Sequence, residues 1–496
     1  MSSSSIPGVP HLPCLRWGRV YDSLEKNEVK DCRTGELRAR VSVVNAGILR
    51  KDLARAAEGR AALRRFTTSQ LVDICAKAGE AFLHADLPLG DQGLQQSPQD
   101  FVATLSATSG LPHVLVRRNM QRIHQALTRM GEILNGLTRG LPFELLDRGW
   151  GRVGGSMCAF HAMTDVLGVV MPSNSPAVNS LWLPAIALKI PVLIKPGREE
   201  PWTPYRLIQA FRAAGAPPEA FGFYPTDHEG TAEILRVCGR SLLFGDQSTT
   251  SRYANDSRIQ IHGPGYSKIF IGEDEADRWA QYVDIIAASI ADNGGRSCIN
   301  ASAILIPRHA DDLANALAQV LGPLGPASPE DPEARLSAFA NPKMAEFINA
   351  AIEEGLKTAG AKDVTAAVRQ GPRLVQHQGA FYLRPTIIRC DTWKHPLANR
   401  EFLFPYASVV EMSPADMINE TGPSLVVTAI TRDPAFRQAL LDSPNIERLN
   451  IGPIPTTRIS WDQPHEGNMF EFLYRRRALE VDESERGGVT TTRGCA

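Results

Sequence analysis

Hydrophobic and polar positions change period several times along the chain, and each change marks an element or a boundary. Residues 1–45 mix prolines and single aromatics with the turn RTGEL ahead of VSVVN, which predicts a loose lead-in ending in a short strand. From 46 to about 85 the apolar residues recur at helical spacing, in NAGILRKDLARAAEGRAAL and then in SQLVDICAKAGEAFLHA. Residues 87–100 read as a polar loop, and 99–135 return to a helical period broken at SGLPH by Gly110 and Pro112. At 148–161 (RGWGRVGGSMCAFH) the pattern alternates around glycines. This predicts an exposed hairpin without a core of its own, which either pairs with another subunit or is a surface β-loop.

From Asp165 onward short apolar runs alternate with amphipathic ones. DVLGVVMP, PVLIKP, FGFYP, SLLFG and RIQIHG read as strands, and 204–214 is the clearest helix between them. Thr203 fits its N-cap, Pro204 the first helical position and Gly215 the stop. This alternation predicts an α/β fold with a doubly wound parallel sheet, which binds ligands beyond the carboxyl ends of its strands. PSNSP, KPGREEP and FGDQSTT all follow strands at that edge. After Tyr266 a second α/β region begins. It holds SKIFIGED, a helical run WAQYVDIIAASIA, the strand ASAILIP, a helix from Asp311, a proline-rich stretch near 322–333, and strands at RPTIIRC, YASVVEM, SLVVTAI and ERLNIG. The tail beyond Val481 has almost no apolar content, which predicts disorder.

Length and charge narrow the classes. A chain of 496 residues exceeds one simple core, so two or three domains are expected. A net charge of −1 gives no footprint for nucleic acid, and the short basic run at 475–477 reads as a solvated or interface patch. The most apolar stretch, 181–194, carries Lys189 and two prolines, so no membrane span is expected. Eight scattered cysteines without a CxxC or a cysteine–histidine cluster argue against structural zinc and a disulfide scaffold, so no metal is expected. MSSSSIPGVP lacks a basic region followed by an apolar core, and with the cysteine usage this points to a reducing, cytoplasmic setting.

One stretch carries candidate chemistry. DNGGRSCINAS, 292–302, places Cys298 on a glycine turn between a helix and a strand. Gly294 and Gly295 allow the backbone close to a bound molecule, and nearby amides can lower a thiol pKa and stabilise an anion. The stretch therefore reads either as a nucleophile or as a buried structural cysteine. Neither GxGxxG nor GxxxxGK[ST] occurs. FGDQSTT, with Gly245 opening the turn and Ser248 and Thr249 starting a helix, is either a phosphate cradle or an ordinary N-capped helix.

Taken in order, these motifs resemble the aldehyde dehydrogenase superfamily over about 45–479. PSNSP resembles the family's strand-end asparagine motif and puts Asn174, beside Ser173, at the oxyanion-hole amide. LIKPGREEP resembles the motif whose lysine holds the adenosine ribose, here Lys195. FGDQSTT lies where the pyrophosphate-binding helix starts, NGGRSCINAS resembles the nucleophile motif, and EFLFPYASVV, with Phe404, contains the glutamate that holds the nicotinamide ribose, here Glu401. The resemblance implies a doubly wound parallel-sheet cofactor domain (1–144 and 164–265), an α/β catalytic domain bearing the cysteine (266–458), a β-hairpin oligomerisation arm (145–163 and 459–481) and a tail from 482. It also implies a homodimer or homotetramer, NADP or NAD as cofactor, and a thioester on Cys298.

Two departures shape the expected activity. Hydrolytic members carry a glutamate general base on the strand before the nucleophile, whereas IQIHGPGYSKIF offers His262, Gly263 and Pro264. That absence resembles the CoA-acylating aldehyde dehydrogenases and long-chain acyl-CoA reductases, which interconvert aldehyde and acyl-CoA with coenzyme A as co-substrate. Arg198 stands three residues after Lys195, where NAD-preferring relatives often carry a glutamate, and an arginine can pair with a 2′-phosphate, which leans towards NADP. The other reading leaves Arg198 in solvent with Glu199 or Glu200 turned inward. A hydrolytic enzyme with another base (His262 or Glu401 acting through water) and a catalytically silent nucleotide-binding homologue are the alternatives; Asn174, Lys195, Cys298 and Glu401 together argue against the last. Trp182, Phe402, Phe404, Trp461 and Phe470 are candidates to line an apolar tunnel.

Overall fold

The computed structural model describes residues 8–464 and 466–482. Two seven-stranded sheets organise them. The first contains β1 (Cys14–Arg16), β2 (Arg19–Tyr21), β3 (Leu167–Val170), β4 (Val192–Lys195), β5 (Phe221–Phe223), β6 (Arg240–Phe244) and β7 (Ile259–His262), in the order β7-β6-β3-β4-β5-β1-β2. The strands β7, β6, β3, β4 and β5 pair in parallel, and β1 and β2 close one edge antiparallel. All four residues of β3 are buried, as are Val192, Leu193 and Ile194 of β4. A parallel strand covered by helices on both faces needs such an unbroken apolar run, which is why these segments were legible.

The chain winds from β3 through β4 to β5 and then crosses back to β6 on the other side of β3. The carboxyl edge near β3 and β6 is therefore the topological switch point, where a doubly wound sheet leaves a crevice. The loops bearing Asn174, Lys195, Gly245 and His262 all leave the sheet at this edge.

The second sheet holds β8 (Lys268–Ile271), β9 (Ala303–Ile306), β10 (Ala361–Asp363), β11 (Thr386–Cys390), β12 (Tyr406–Glu411), β13 (Ser424–Ile430) and β14 (Ile446–Ile451), in the order β10-β11-β12-β9-β8-β13-β14. Only β10 runs antiparallel to its neighbour. Separate apolar cores cover its two faces.

Several expectations need correction. The lead-in at 1–45 is not loose where it is described. Leu12, Cys14 and Leu15 are essentially fully buried, and β1 adds to the cofactor-side sheet against Phe223. Residues 87–100 contain a short hairpin (Leu87–Leu89 with Leu94–Gln96) rather than only loop. The helix expected at 204–214 is Trp202–Ala213, and Thr203 does not cap it. Pro201 holds the N-cap position, and the first turn is closed by Glu200 just before it, whose carboxyl accepts the Thr203 N–H at 2.8 Å. The helical run before the thiol opens as a 3-10 turn, Ala276–Tyr282, and becomes α-helix only at Val283–Ala291.

The hairpin at 148–161 forms, as Trp150–Val153 and Ser156–Ala162, and takes Tyr474–Arg477 of the same chain as a third strand. Residues 459–469, expected with that arm, instead reach back to the cavity described next. The tail expected to be disordered lies, from 483 on, outside the described residues, as do residues 1–7.

Candidate active site

Cys298 is carried by a turn whose backbone few residues tolerate. After Val283–Ala291, Asn293 (φ 54°), Gly294 (φ 67°) and Gly295 (φ 70°) are all left-handed. The two glycines serve packing rather than the approach of a bound molecule. A Cβ on Gly295 would lie 2.3 Å from the backbone carbon of Phe404, and one on Gly294 would lie 2.5 Å from Ser337 Oγ. Asn300 staples the turn: its Oδ1 accepts the Ser297 N–H at 2.8 Å, and its Nδ2 donates to the carbonyls of Ser289 and Asp292. Arg296 is buried and donates to the carbonyls of Ser109 and Ala338. Behind the turn, Asn119 of the helix His113–Thr128 donates to Asn293 Oδ1 at 2.7 Å and accepts from Ser175 Oγ at 3.2 Å. Asp292 pairs with Arg118 and Arg122; burial alone would raise its carboxyl, but the two guanidiniums outweigh it and hold the carboxyl low. The thiol turn, the helix and the Asn174 loop are thus one hydrogen-bonded unit.

Two loops press on the thiol from the sheet edges. Asn174 Nδ2 donates to the Arg296 carbonyl at 2.8 Å. A primary amide has a second N–H, and here that one has no acceptor among the described residues. Gly265 packs so close that a Cβ would fall 2.1 Å from the Cys298 carbonyl oxygen, which also accepts from Ser267 Oγ at 2.8 Å.

The thiol itself departs from expectation. Burial pushes its pKa well above the ordinary value, and the carboxylates of Glu466 and Glu401 push the same way. The N–H groups of Cys298 and Ile299 pull it down without prevailing. The turn's amides therefore do not by themselves yield a thiolate.

Cys298 opens onto a cavity of about 1110 Å³, counting its open mouth. Ile133, Leu137, Val178, Leu181, Trp461 and Met469 give it an apolar wall, and Gln260, His262, Arg122 and Glu466 contribute polar groups. Of the five candidate tunnel aromatics only Trp461 lines it. Trp182 is fully buried with its Nε1 on Asn179, Phe402 and Phe404 pack with Tyr406, and Phe470 stacks on Tyr474. Aromatic side chains fill cores as readily as pockets.

At the crevice edge the candidate cofactor residues divide. Lys195 ends β4, mostly buried, with its ammonium lacking a hydrogen-bond acceptor among the described residues; burial lowers its pKa and the nearby Glu199 opposes this. Such a desolvated donor fits ribose hydroxyls. Ser173 Oγ accepts the Glu199 N–H at 3.3 Å, which joins the Asn174 and Lys195 loops. Arg198 is exposed and without an ion-pair partner among the described residues. Glu200 is turned inward to close the first helical turn, and burial raises its carboxyl to about 8.

Gly245 leads into Asp246, whose carboxylate accepts from Thr249 N–H and Ser248 Oγ. FGDQSTT is thus an N-capped helical turn with an acid where a phosphate would sit, so the pyrophosphate end fits less well than the ribose end. Phe404 is only 3% exposed, its backbone packed under Gly295 and its ring against Phe402 and Tyr406, so it offers almost no surface to this edge. Glu401 accepts the Tyr266 N–H at 2.6 Å, and burial lifts its carboxyl to about 7 against the pull of the Tyr266 and Gly265 N–H groups and Lys268.

Three site residues escaped sequence reasoning. Asn119 and Arg122 sit on a helix read only as packing, and Glu466 lies 204 residues after its partner His262. The polar run PHEGN before the last helix was the available signal for Glu466.

Comparison with known proteins establishes the family and the fold. The aldehyde dehydrogenase family profile matches residues 91–435, and the chain belongs to that family. An aminoacetaldehyde dehydrogenase of Pseudomonas aeruginosa is 25% identical over 294 residues, covering 54% of this chain and 55% of the relative. The chain thus spans little more than half the length of that curated relative. Among solved structures, the aldehyde dehydrogenase KauB of P. aeruginosa superposes with a TM-score of 0.77 at 15% identity, covering 94% of this chain and 96% of the other. A NAD-dependent aldehyde dehydrogenase of Sinorhizobium meliloti gives 0.76 at 16%, covering 97% of both. At such identities these establish a shared fold. Among the described residues no helix is long and apolar enough to cross a membrane.

Proposed function

We propose that this chain is an NAD(P)-dependent aldehyde dehydrogenase that oxidises an apolar aldehyde through a thioester on Cys298. The observation that carries this reading is Cys298 at the mouth of an apolar cavity, with the Asn174 amide tied to the same turn. The thiolate sulfur adds to the carbonyl carbon. The free N–H of Asn174 and the backbone N–H of Cys298 are the donors for the resulting oxyanion, each such donor being worth roughly 3–4 kcal/mol. A nicotinamide cofactor held at the crevice would supply the oxidation by accepting hydride from that carbon. Lys195 would hold the adenosine ribose and Glu401 the nicotinamide ribose. The exposed Arg198 supports NADP over NAD, because the nearby Glu200 is committed to closing a helix's first turn.

The acyl acceptor separates two finer readings. Coenzyme A is supported by the lack of a carboxylate at 262–264, which resembles the acylating branch. Water is supported by a specific feature of the cavity: His262 donates from or accepts at Nδ1 with Glu466 at 2.5 Å, so a carboxylate-backed imidazole is present after all. We favour water, since the case for coenzyme A rested on a cavity without a base. The oligomeric arm remains part of the proposal, in which the hairpin and Tyr474–Arg477 present an edge to a second copy.

The decisive assay supplies a series of straight-chain aldehydes with NAD⁺ or NADP⁺, with and without coenzyme A, and identifies the acyl product. Carboxylic acid formed without coenzyme A supports water; acyl-CoA formed only in its presence supports the alternative. An apolar cavity predicts KM falling about fourfold per added methylene, from ~0.8 kcal/mol per buried CH₂, until the cavity is full. Absence of reduced cofactor throughout, or full turnover by Cys298→Ala, would remove this reading.

A further inference from the structure

His262 ends β7 at the wall of the Cys298 cavity and is only 6% exposed. Its ring stacks on Phe244 with centroids 4.4 Å apart and planes within 12°. One ring nitrogen, Nδ1, meets the Glu466 carboxylate at 2.5 Å, while Nε2 is buried without a hydrogen-bond partner among the described residues. An imidazole satisfied at one nitrogen and orphaned at the other is costly to bury unless the second nitrogen has work to do. With Glu466 accepting the Nδ1 proton, the neutral tautomer leaves the basic lone pair on Nε2. The ring is fixed by stacking and its tautomer by a carboxylate, and His262 lines the same cavity as Cys298 with no direct hydrogen bond between them among the described residues. This is the logic of an acid–base–nucleophile triad assembled from three distant segments.

We infer that His262 is the general base that takes the proton of Cys298, with Glu466 as the residue that positions it. The inference rests on Cys298 being the nucleophile. The S–H bond breaks, its electron pair stays on sulfur and attacks the carbonyl carbon, and the proton crosses the shared cavity through an intervening water to form an N–H bond at Nε2. The resulting imidazolium is stabilised by the Glu466 carboxylate on its other side. The groups facing this pair are Glu466 from the 459–469 segment, Cys298 from the thiol turn, Glu401 beyond the Gly265–Tyr266 backbone, with Lys268 beside it, and Arg122 from the helix His113–Thr128, itself paired with Asp292. Phe244 from β6 contributes no charge.

Glu466 makes the idea falsifiable by sign. As a bare negative charge near the thiol it disfavours the thiolate, so removing it would speed thiol reactions. As the partner of His262 it sustains the base, so removing it must slow them. The test is alkylation of the full-length protein by iodoacetamide between pH 5 and 10, without aldehyde or cofactor. Modification of the Cys298 peptide is followed by mass spectrometry, with the peptides of Cys32 and Cys158 as internal references.

His262→Gln keeps an N–H for Glu466 and removes the base. It is expected to lower the Cys298 alkylation rate at pH 7 at least tenfold and to move the rising limb of the profile at least one pH unit higher. Glu466→Gln is expected to slow the reaction severalfold in the same direction. Superimposable profiles for wild type and His262→Gln, or faster alkylation in Glu466→Gln, would overturn the inference. His262→Asn serves as a second variant should the Gln substitution perturb folding, judged by circular dichroism and by unchanged reference peptides. Because the readout needs no turnover, a wild-type enzyme inactive on every aldehyde would refute the proposed function while leaving this result to stand or fall separately.

Discussion

Glu401 offers a direct test of how the site is electrostatically built. Its carboxyl is buried, accepts the Tyr266 N–H at 2.6 Å, and is raised from 4.5 to about 7. Below pH 4.5 it is protonated in both folded and unfolded chains. Between 4.5 and about 7 the unfolded chain releases the proton and the fold keeps it, so stability falls as pH rises, and above about 7 the loss is complete. The shift of about 2.5 units corresponds to about 3 kcal/mol at 1.36 kcal/mol per unit. The opposing attraction of Lys268 is already contained in that shift. Glu401→Gln retains an acceptor for Tyr266 and cannot titrate. The variant should therefore gain on wild type steadily from pH 4.5 to about 7 and hold that gain at higher pH. In a chain this long, each kcal/mol moves Tm by on the order of 1–2 °C, so the difference in Tm should widen by roughly 3–6 °C. Thermal unfolding of both proteins at half-unit steps from pH 4.5 to 8.5 measures it. A difference in Tm that stays constant, or narrows with rising pH, would show that Glu401 is not held protonated by burial.

Lys268, fully buried at the start of β8 and pushed down to about 7 by burial, has the opposite dependence. Between about 7 and 10.5 the unfolded chain holds a proton that the fold releases, so wild-type stability should rise by about 3 kcal/mol from pH 7 to 9.5. Lys268→Met should lose that rise in urea unfolding midpoints, and an equal rise in both proteins would reject it. Gly295→Ala forces a left-handed alanine whose Cβ meets the Phe404 backbone at 2.3 Å. We expect at least about 1–3 kcal/mol of destabilisation from the conformation alone, with further loss from the overlap. A Tm within 1 °C of wild type would mean the turn relaxes freely.

What the sequence disclosed follows from where each signal is stored. The strands β3, β4 and β9 were legible because a strand buried on both faces must be largely apolar, and that requirement is local; β6, β7, β8, β12 and β13 carried shorter apolar runs bounded by turn residues. Cys298, Asn174 and Lys195 were legible because each sits at a strand end or turn with its own short pattern. The first strands were missed because β1 and β2 are three residues each and broken by prolines and turns, and only pairing with Phe223 makes them strands. The cap of Trp202–Ala213 was misplaced because Thr203 has the right chemistry but lies inside the helix, and the buried Glu200 accepts the N–H of Thr203 itself. The aromatics assigned to the tunnel failed for a different reason. Composition cannot tell a pocket wall from a core, and four of the five lie behind the wall.

The misjudged thiol is the instructive case. A glycine turn with nearby amides is a local argument for a low pKa, and those amides do act in that direction. They are outweighed by burial and by two carboxylates, Glu401 and Glu466, contributed by segments more than a hundred residues downstream. A charge balance of this kind is a property of assembly, and no window around DNGGRSCINAS contains it. The same assembly that raises the thiol also delivers Glu466 to His262, a residue lining the thiol's own cavity whose Nε2 is buried without a partner among the described residues. On the proposed reading, a thiol that is hard to ionise alone shares its cavity with an imidazole whose second nitrogen is unsatisfied, and that unmet hydrogen bond is a cost the fold carries. If Cys298 is the nucleophile, such an arrangement would keep the sulfur protonated until a base in the cavity takes its proton. On that reading the reactivity of Cys298 depends on Glu466, which both raises the thiol and holds His262, more than on the turn that carries the cysteine.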